Sequence, residues 1–295
     1  MTKALAELIA GLIPGKMARN RWRGILRFGL WKTLRLKRDL RKPRPQPDHY
    51  LAVCAIAKDE GPYFKEWIEW HRKMGATKFY IYDNGSSDET RTVLQPYIES
   101  GLVDYRFFPG RKRQIAAYDD CMAIHRRESR WIAFIDLDEF IVPVADKTVV
   151  DFLRKMEDAS AVEINWLVYG SNFLKEKTSE PVMHRFTRHS ERDHWTNRHV
   201  KSIVDPRRVV AMTGCHEAAR LTGRTVDSHG EEVTENFRIR RPIHDVIKIN
   251  HYAVRSRQEF EEKQLRGRAS GKQNPIDEVY FEDYDKNDIE EGAIG

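Results

Sequence analysis

Between residues 50 and 136 the hydrophobic period of the sequence switches back and forth, and this alternation limits the possible folds more than any other feature. "YLAVCAIA" is a short apolar run rich in small and β-branched residues, as suits a strand buried on both faces. "GPYFKEWIEWHRKMG" follows, with Phe64, Trp67, Ile68 and Met74 on one helical face, Pro62 in the first turn and Gly75 at the stop. "TKFYIYD" predicts a second strand, and "NGSSDET" a turn in which Ser87 or Asp88 caps a helix running through Ile98. "LVDYRFF" predicts a third strand. A helix over about 114–127 carries Ile115, Tyr118, Met122 and His125, and "RWIAFID" reads as a fourth strand. Four such repeats in about 90 residues predict an α/β fold with a mostly parallel central sheet and helices on both faces.

Beyond residue 148 the order loosens. "TVVDFLRKME" predicts a helix and "SAVEINWLVYG" a long strand. "HVKSIVDP" and "RRVVAMTG" predict two strands around a turn at Pro206. "DVIKINHYAV" predicts another strand, and "SRQEFEEKQLRGRA" a helix capped by Ser256. The closing "DEVYFEDYDKNDIEEG" is acidic and reads as a loose tail.

Charge divides the chain. The net charge is +6, yet residues 1–47 hold 13 Lys and Arg against Glu7 and Asp39, and the other 248 residues sum to −5. In the N-terminal stretch Trp22, Ile25, Leu26, Phe28, Leu30, Trp31, Leu34 and Leu36 alternate with basic residues, and "RKPRPQP" ends it as an extended linker. A basic helix with Trp and Leu on its other side predicts attachment to an anionic membrane surface; a helix docked on the protein's own body is the alternative. No apolar run reaches the roughly 20 residues of a membrane span. Cys54, Cys121 and Cys215 are odd in number and widely spaced, which suits a reducing compartment and offers no zinc-binding CxxC pair. The expected organisation is a basic segment over 1–47, a catalytic domain over 48–270 and an acidic tail over 271–295. The expected place is the cytoplasm, peripheral at the inner face of the membrane. No nucleic-acid module follows the basic arm.

"FIDLDEF" (134–140) ends the fourth strand with Asp136, Asp138 and Glu139. Ligands of open parallel sheets bind at the carboxyl ends of strands. Two carboxylates separated by one residue suit a hard divalent cation shared with substrate phosphates. An isolated Asp-x-Asp also fits strand-end capping. A phosphatase of the haloacid dehalogenase type would carry the motif after its first strand, and a dinucleotide fold would carry GxGxxG there; neither pattern is present.

The stretches "CAIAKDEGPYFKEWIEWHRKMGATKFYIYDNGSSDET", "QIAAYDDC", "WIAFIDLDEF", "KSIVDP" and "INHYAVRSRQEFEEKQLRGR" run in order over roughly 50–270. Together they resemble the nucleotide-sugar glycosyltransferases of the GT-A fold, in the family 2-like group related to glycosyltransferase family 92. The resemblance implies a GT-A (Rossmann-like) domain, a Mn²⁺ or Mg²⁺ cofactor, a nucleotide-sugar donor such as a UDP-sugar, and a glycan or lipid-linked acceptor. It implies that Lys58 and Glu60 after the first strand, Asp83, Arg113, Gln114 and Asp136 face the nucleotide, with Lys263 and Arg266 over the diphosphate. It implies Asp136, Asp138 and His251 as metal contacts, Glu139 behind them, and an inverting reaction. For the general base, Glu217 and His216 in "GCHEA" and Asp193 in "RHSERDHWTNRH" are the candidates, and Trp166, Tyr169 and Trp195 could stack on a sugar. Asp83 equally suits an Asp-Asn-Gly turn, and His251 a packed strand end. A protein that keeps the fold and has lost catalysis is the remaining alternative.

Overall fold

The computed structural model describes residues 12, 29–43, 46–235, 238, 240–267 and 276–292. Helix α1 (Leu30–Leu40) precedes the repeats β1 (His49–Ala57), α2 (Gly61–Lys73), β2 (Lys78–Asp83), α3 (Thr90–Glu99), β3 (Val103–Phe107), α4 (Gln114–His125) and β4 (Ser129–Phe134). Then come β5 (Glu139–Pro143), α5 (Val149–Arg154), β6 (Ala159–Val168), the single turn α6 (Val182–Arg185), β7 (Arg188–His189) and a 3₁₀ turn at Trp195–Arg198. Strands β8 (Val200–Val204), β9 (Val209–Met212), β10 (Ala218–Arg220), β11 (Arg224–Val226) and β12 (Ile247–His251) lead to α7 (Arg257–Arg266), α8 (Glu278–Tyr284) and β13 (Ile289–Glu290).

The main sheet runs β3-β2-β1-β4-β8-β6-β12-β5, with β11 also against β6. Strands β1 to β4 are mutually parallel; β8 is antiparallel to both neighbours, and β5 is antiparallel to β12. Side chains of β1 alternate between faces, as the pleat requires. Val53 and Ala55 meet Phe64, Trp67, Ile68 and Leu94 of α2 and α3. Ala52, Cys54 and Ile56 meet Ala117, Tyr118, Cys121 and Met122 of α4. The mostly parallel sheet covered on both faces is therefore present as expected.

One connection bends this sheet. Only Ile135–Asp138 separate β4 from β5, which lies four places away. Four strand spacings amount to about 19 Å in a flat sheet. Five residue steps reach about 17 Å when fully extended. This link also turns back on itself, the Glu139 amide donating to the Asp136 carbonyl at 3.1 Å. The sheet must curl, and the curl gathers the ends of β4, β8 and β12 around the acidic turn.

Strands β8 and β9 form on either side of Pro206 as expected but do not pair with each other: β8 enters the main sheet, whereas β9 pairs with β10. Both faces of β8 are buried, and an edge hairpin would leave its apolar residues uncovered. The acidic tail is not loose from Ile276 to Gly292. There α8 forms, β13 pairs with β7, and the chain passes so close to Gly170 that a Cβ at that glycine would meet the Lys286 carbonyl at 2.5 Å. Its acids find partners on the body, Glu291 taking Lys248 at 2.6 Å. Helix α1 docks on the body through Leu36 and Leu40 against Val210, Ala219 and Leu221. Trp22, Ile25, Leu26 and Phe28 lie outside the described residues.

Helix α7 is fixed at its start. Ser256 and Glu259 form a reciprocal capping box. The Glu259 carboxylate also accepts two bonds from Arg185, at 2.8 and 2.9 Å, and one from Tyr63 at 2.8 Å. Burial pushes this carboxyl up, but Arg185, Arg255 and Ser256 outweigh it and hold it down at about 2. A carboxyl depressed on folding stabilises above its ordinary value of 4.5 and loses that stability as pH falls toward 2. The loss should be about 3 kcal/mol. Glu259→Gln should cost about 3–5 kcal/mol near neutrality by leaving Arg185 buried without its charge. It should also flatten the acid limb of a denaturant-midpoint series between pH 4.5 and 2. An unchanged acid limb would contradict this role.

Candidate active site

The turn after β4 sets three carboxylates within four residues, and each meets a cation. Lys201 of β8, 1% exposed, donates to Asp136 Oδ2 at 2.6 Å and lies 3.2 Å from Glu139 Oε2. Lys263 of α7 donates to Asp138 Oδ2 and to the Ala253 carbonyl, both at 2.7 Å. Arg255, buried over the Tyr63 ring, donates to Glu60 at 3.2 Å and to the Leu137 carbonyl at 3.3 Å. The positive charge that buried carboxylates require is thus supplied in part by the chain itself. Trp67 of α2 clamps the turn, its indole N–H reaching the Glu139 carbonyl at 2.9 Å and the Asp136 carbonyl at 3.2 Å.

These contacts set the charges. Burial works to lower Lys201, but Asp136 and Glu139 raise it well above the usual lysine range. Burial works to raise Asp138, but Lys263, His251 and Arg255 hold it well below the usual carboxylate range. In Glu139 burial prevails over Lys201, and the charges of Asp136 and Asp138 add to it, so this carboxyl is pushed up to about 8.

Asp138, Glu139 and His251 offer one ligand atom each within 4.8 Å of one another, the one such group among the described residues. Glu139 and His251 are a registered pair across β5 and β12. The Tyr252 amide, one residue on, donates to the Asp138 carbonyl at 2.8 Å. Glu139 Oε1 and His251 Nδ1 are buried without a hydrogen-bond partner among the described residues. Two carboxylate oxygens and one imidazole nitrogen suit Mn²⁺ or a similar divalent ion. The expected trio was Asp136, Asp138 and His251; the geometry puts Glu139 with Asp138 and His251. Asp136 instead accepts from Gln114 at 3.0 Å and from Lys201.

A cavity of about 190 Å³ opens over this group. Of the residues expected to bind the nucleotide, Lys58 and Glu60 from the end of β1, Gln114 from α4, Asp136, Lys263 and Arg266 line it. His216 and Trp166 line its other side, with Tyr280 and Tyr284 from α8. His216 Nδ1 meets the Val200 carbonyl at 2.8 Å. Of the expected nucleotide contacts and candidate bases, four do not line it. The Asp83 carboxylate accepts from the Gly85 and Ser86 amides and from Tyr105, so it builds its turn. Arg113 stacks over Phe108 at 4.2 Å. Asp193 pairs with Arg241 on an exposed loop. Glu217 follows His216 outside the cavity lining, its carbonyl accepting from the Thr213 amide at 2.9 Å.

Lys201, Arg255, Trp67 and the two tyrosines of α8 were not assigned to the site from the sequence. One signal existed for Lys201: a lysine inside "VKSIV", a strand with three β-branched apolar residues that is fully buried, needs a buried acid.

Carboxylates and a histidine at the carboxyl ends of a central α/β sheet, ringed by lysine and arginine, define a site suited to a phosphorylated ligand and a divalent ion. The profile of glycosyltransferase family 92 matches residues 49–278, and the chain belongs to that family. A glycosyltransferase family 92 protein of Ricinus communis is 26% identical over 225 residues, 75% of this chain and 38% of its own length. Galactan β-1,4-galactosyltransferase GALS2 of Arabidopsis thaliana is 28% identical over 176 residues, 55% of this chain and 34% of its own. The chain thus spans well under half the length of these relatives. Among solved structures, S. aureus TarS 1-349 in complex with UDP is 14% identical with a TM-score of 0.36, covering 53% of this chain and 47% of that one.

Lys201→Met should destabilise the fold by about 3–5 kcal/mol, because it strips the cation from a buried cluster. Adding Asp136→Asn should recover part of that loss, and chemical denaturation of the double-mutant cycle reads the coupling. Strictly additive costs would show that Lys201 does not hold Asp136.

Proposed function

We propose that this chain is a metal-dependent, inverting glycosyltransferase that moves a hexosyl group from a UDP-sugar to a hydroxyl of a glycan or lipid-linked acceptor. The observation that carries this reading is the group Asp138, Glu139 and His251, of which Asp138 and His251 line one cavity with Lys263 and Arg266 while Glu139 lies buried behind them. Mn²⁺ or Mg²⁺ held by those three residues would supply Lewis-acid neutralisation of the leaving diphosphate. Lys263 competes with any cation for Asp138, and a diphosphate offers its ammonium a second anionic partner. Arg266, one turn further along α7, adds a second positive charge on the same wall.

Of the three candidate bases, His216 is the one on this cavity. With Nδ1–H donating to the Val200 carbonyl, Nε2 is the basic nitrogen. The acceptor hydroxyl gives its proton to Nε2 as its oxygen bonds to the anomeric carbon. The bond from that carbon to the diphosphate breaks on the opposite face, and the electron pair leaves with the diphosphate. Similarity to the galactan galactosyltransferase makes β-1,4-linked galactose oligomers the first acceptors to try.

Titration calorimetry with UDP tests the donor site. Wild type should bind UDP only with Mn²⁺ present. Asp138→Ala should lose at least the roughly 10–100-fold typical of losing a residue that supports a metal site. His216→Gln should keep UDP affinity and lose turnover of UDP-galactose onto the oligomers. Equal UDP affinity with Mn²⁺ and with chelator would end the metal reading; tight binding without any turnover would favour a nucleotide-sugar-binding protein that has lost catalysis.

A second reading concerns location. Trp31 is 85% and Leu34 46% exposed on α1, while Leu36 and Leu40 dock inward. Among the described residues no helix is long and apolar enough to cross a membrane. We infer that the basic segment rests on an anionic membrane, at the inner, cytoplasmic face, with Trp31 turned to lipid. The full chain should sediment with phosphatidylserine vesicles, less so at 1 M salt, where the Debye length falls to about 3 Å. A chain starting at Asp48 should stay in solution. Equal sedimentation of the two chains would contradict the assignment.

A further inference from the structure

A row of rings leads away from the reacting end of the cavity. Trp166, 7% exposed, lines the cavity with its ring 4.1 Å from that of His251 and 5.5 Å from that of His216. His199 stacks on Trp166 at 5.0 Å with 20° between the planes. Trp195 meets His199 edge-on at 6.0 Å and is 48% exposed. Most of a tryptophan's stabilising value lies in burying its large apolar surface, so an ordered one left half in solvent forgoes much of that gain.

The segment that carries Trp195 is held firmly. Thr196 and Asn197 are fully buried on either side of the next peptide. The Asn197 side chain donates to Ser190 Oγ at 2.9 Å and to the Glu191 carbonyl at 3.0 Å, and accepts from the Val168 amide at 3.0 Å. Asn165 on β6 donates to the Asn197 carbonyl at 3.0 Å. The segment is thereby tied to the strand that carries Trp166, and the exposed indole is presented on a rigid support. A preorganised surface of this kind loses little entropy when a ligand covers it. Two residues before it, the exposed Asp193–Arg241 pair supplies hydrogen-bonding groups.

We propose that Trp195 is an outer acceptor subsite, so that the protein engages the end of an oligosaccharide over several units and not a single sugar. A pyranose has an apolar C–H face that covers an indole and a hydroxyl rim that suits a carboxylate and a guanidinium. This inference rests on the glycosyltransferase reading above and names the acceptor class: a neutral, chain-forming glycan whose terminal unit reaches His216 while inner units cover Trp195.

The test titrates the full chain with β-1,4-linked galactose oligomers of increasing length, without donor, by calorimetry. UDP with Mn²⁺ is titrated separately. Wild-type affinity should rise with oligomer length. Trp195→Ala should remove that rise, weakening the longest oligomer by about ten-fold, and Trp195→Phe should keep most of it. All three proteins should bind UDP with Mn²⁺ equally and melt alike. An affinity that does not rise with length in wild type, or that rises equally in Trp195→Ala, would overturn the subsite. Loss of UDP binding in wild type would instead overturn the donor reading, while the oligosaccharide series is read independently.

Discussion

The link Ile135–Asp138 governs this molecule. It is too short to join β4 to β5 across a flat sheet, so the sheet curls and the ends of β4, β8 and β12 converge. Convergence sets Glu139 opposite His251 and brings Lys201 within reach of Asp136. A longer link would let the sheet flatten and would spread the same residues along its edge. Trp67 reinforces the link from beneath, where α2 packs on the first half of the sheet.

Curling concentrates negative charge, and the distribution of cations follows. Lys201 sits in the sheet, so it neutralises Asp136 and approaches Glu139 as a fixed part of the core. Lys263 sits on α7, so it balances Asp138 from an element whose start is fixed and whose far end borders the cavity. The first contact is structural in character; the second belongs to a residue that can exchange one anionic partner for another. Arg266 bridges to Glu60 at 2.6 Å and ties the same helix to the end of β1. The buried Glu139 oxygen and His251 nitrogen that lack partners among the described residues mark where this internal compensation stops. At that place an external cation has something to gain.

The first half of the fold was legible because its signals are local. Small and β-branched runs, Pro62 in the first turn of α2 and Gly75 after its last fix elements without reference to distant residues. The pairing of β8 with β4 and β6 was not legible, since a short apolar strand next to Pro206 fits a hairpin equally well in sequence. The tail misled because its acidic composition was read as a loose end, whereas Lys248, buried in β12, needs Glu291. At the site, Asp138, His251, Gln114, Lys263 and Arg266 line one cavity. Lys201 was hidden because its meaning depends on which strand lies beside β4, and Asp83 was ambiguous because an Asp-Asn-Gly turn uses the same carboxylate oxygens a ligand would use.

The central claim is that Asp138, Glu139 and His251 form one divalent-cation site that a nucleoside diphosphate completes. Anomalous diffraction from crystals of the full chain grown with Mn²⁺ and UDP tests it most directly. The account predicts a single strong manganese peak in contact with Asp138 and His251, with the diphosphate against it and Lys263 drawn off Asp138. A peak bound through Asp136 with Lys201 displaced, or UDP seated with no manganese peak and Lys263 still on Asp138, would contradict it.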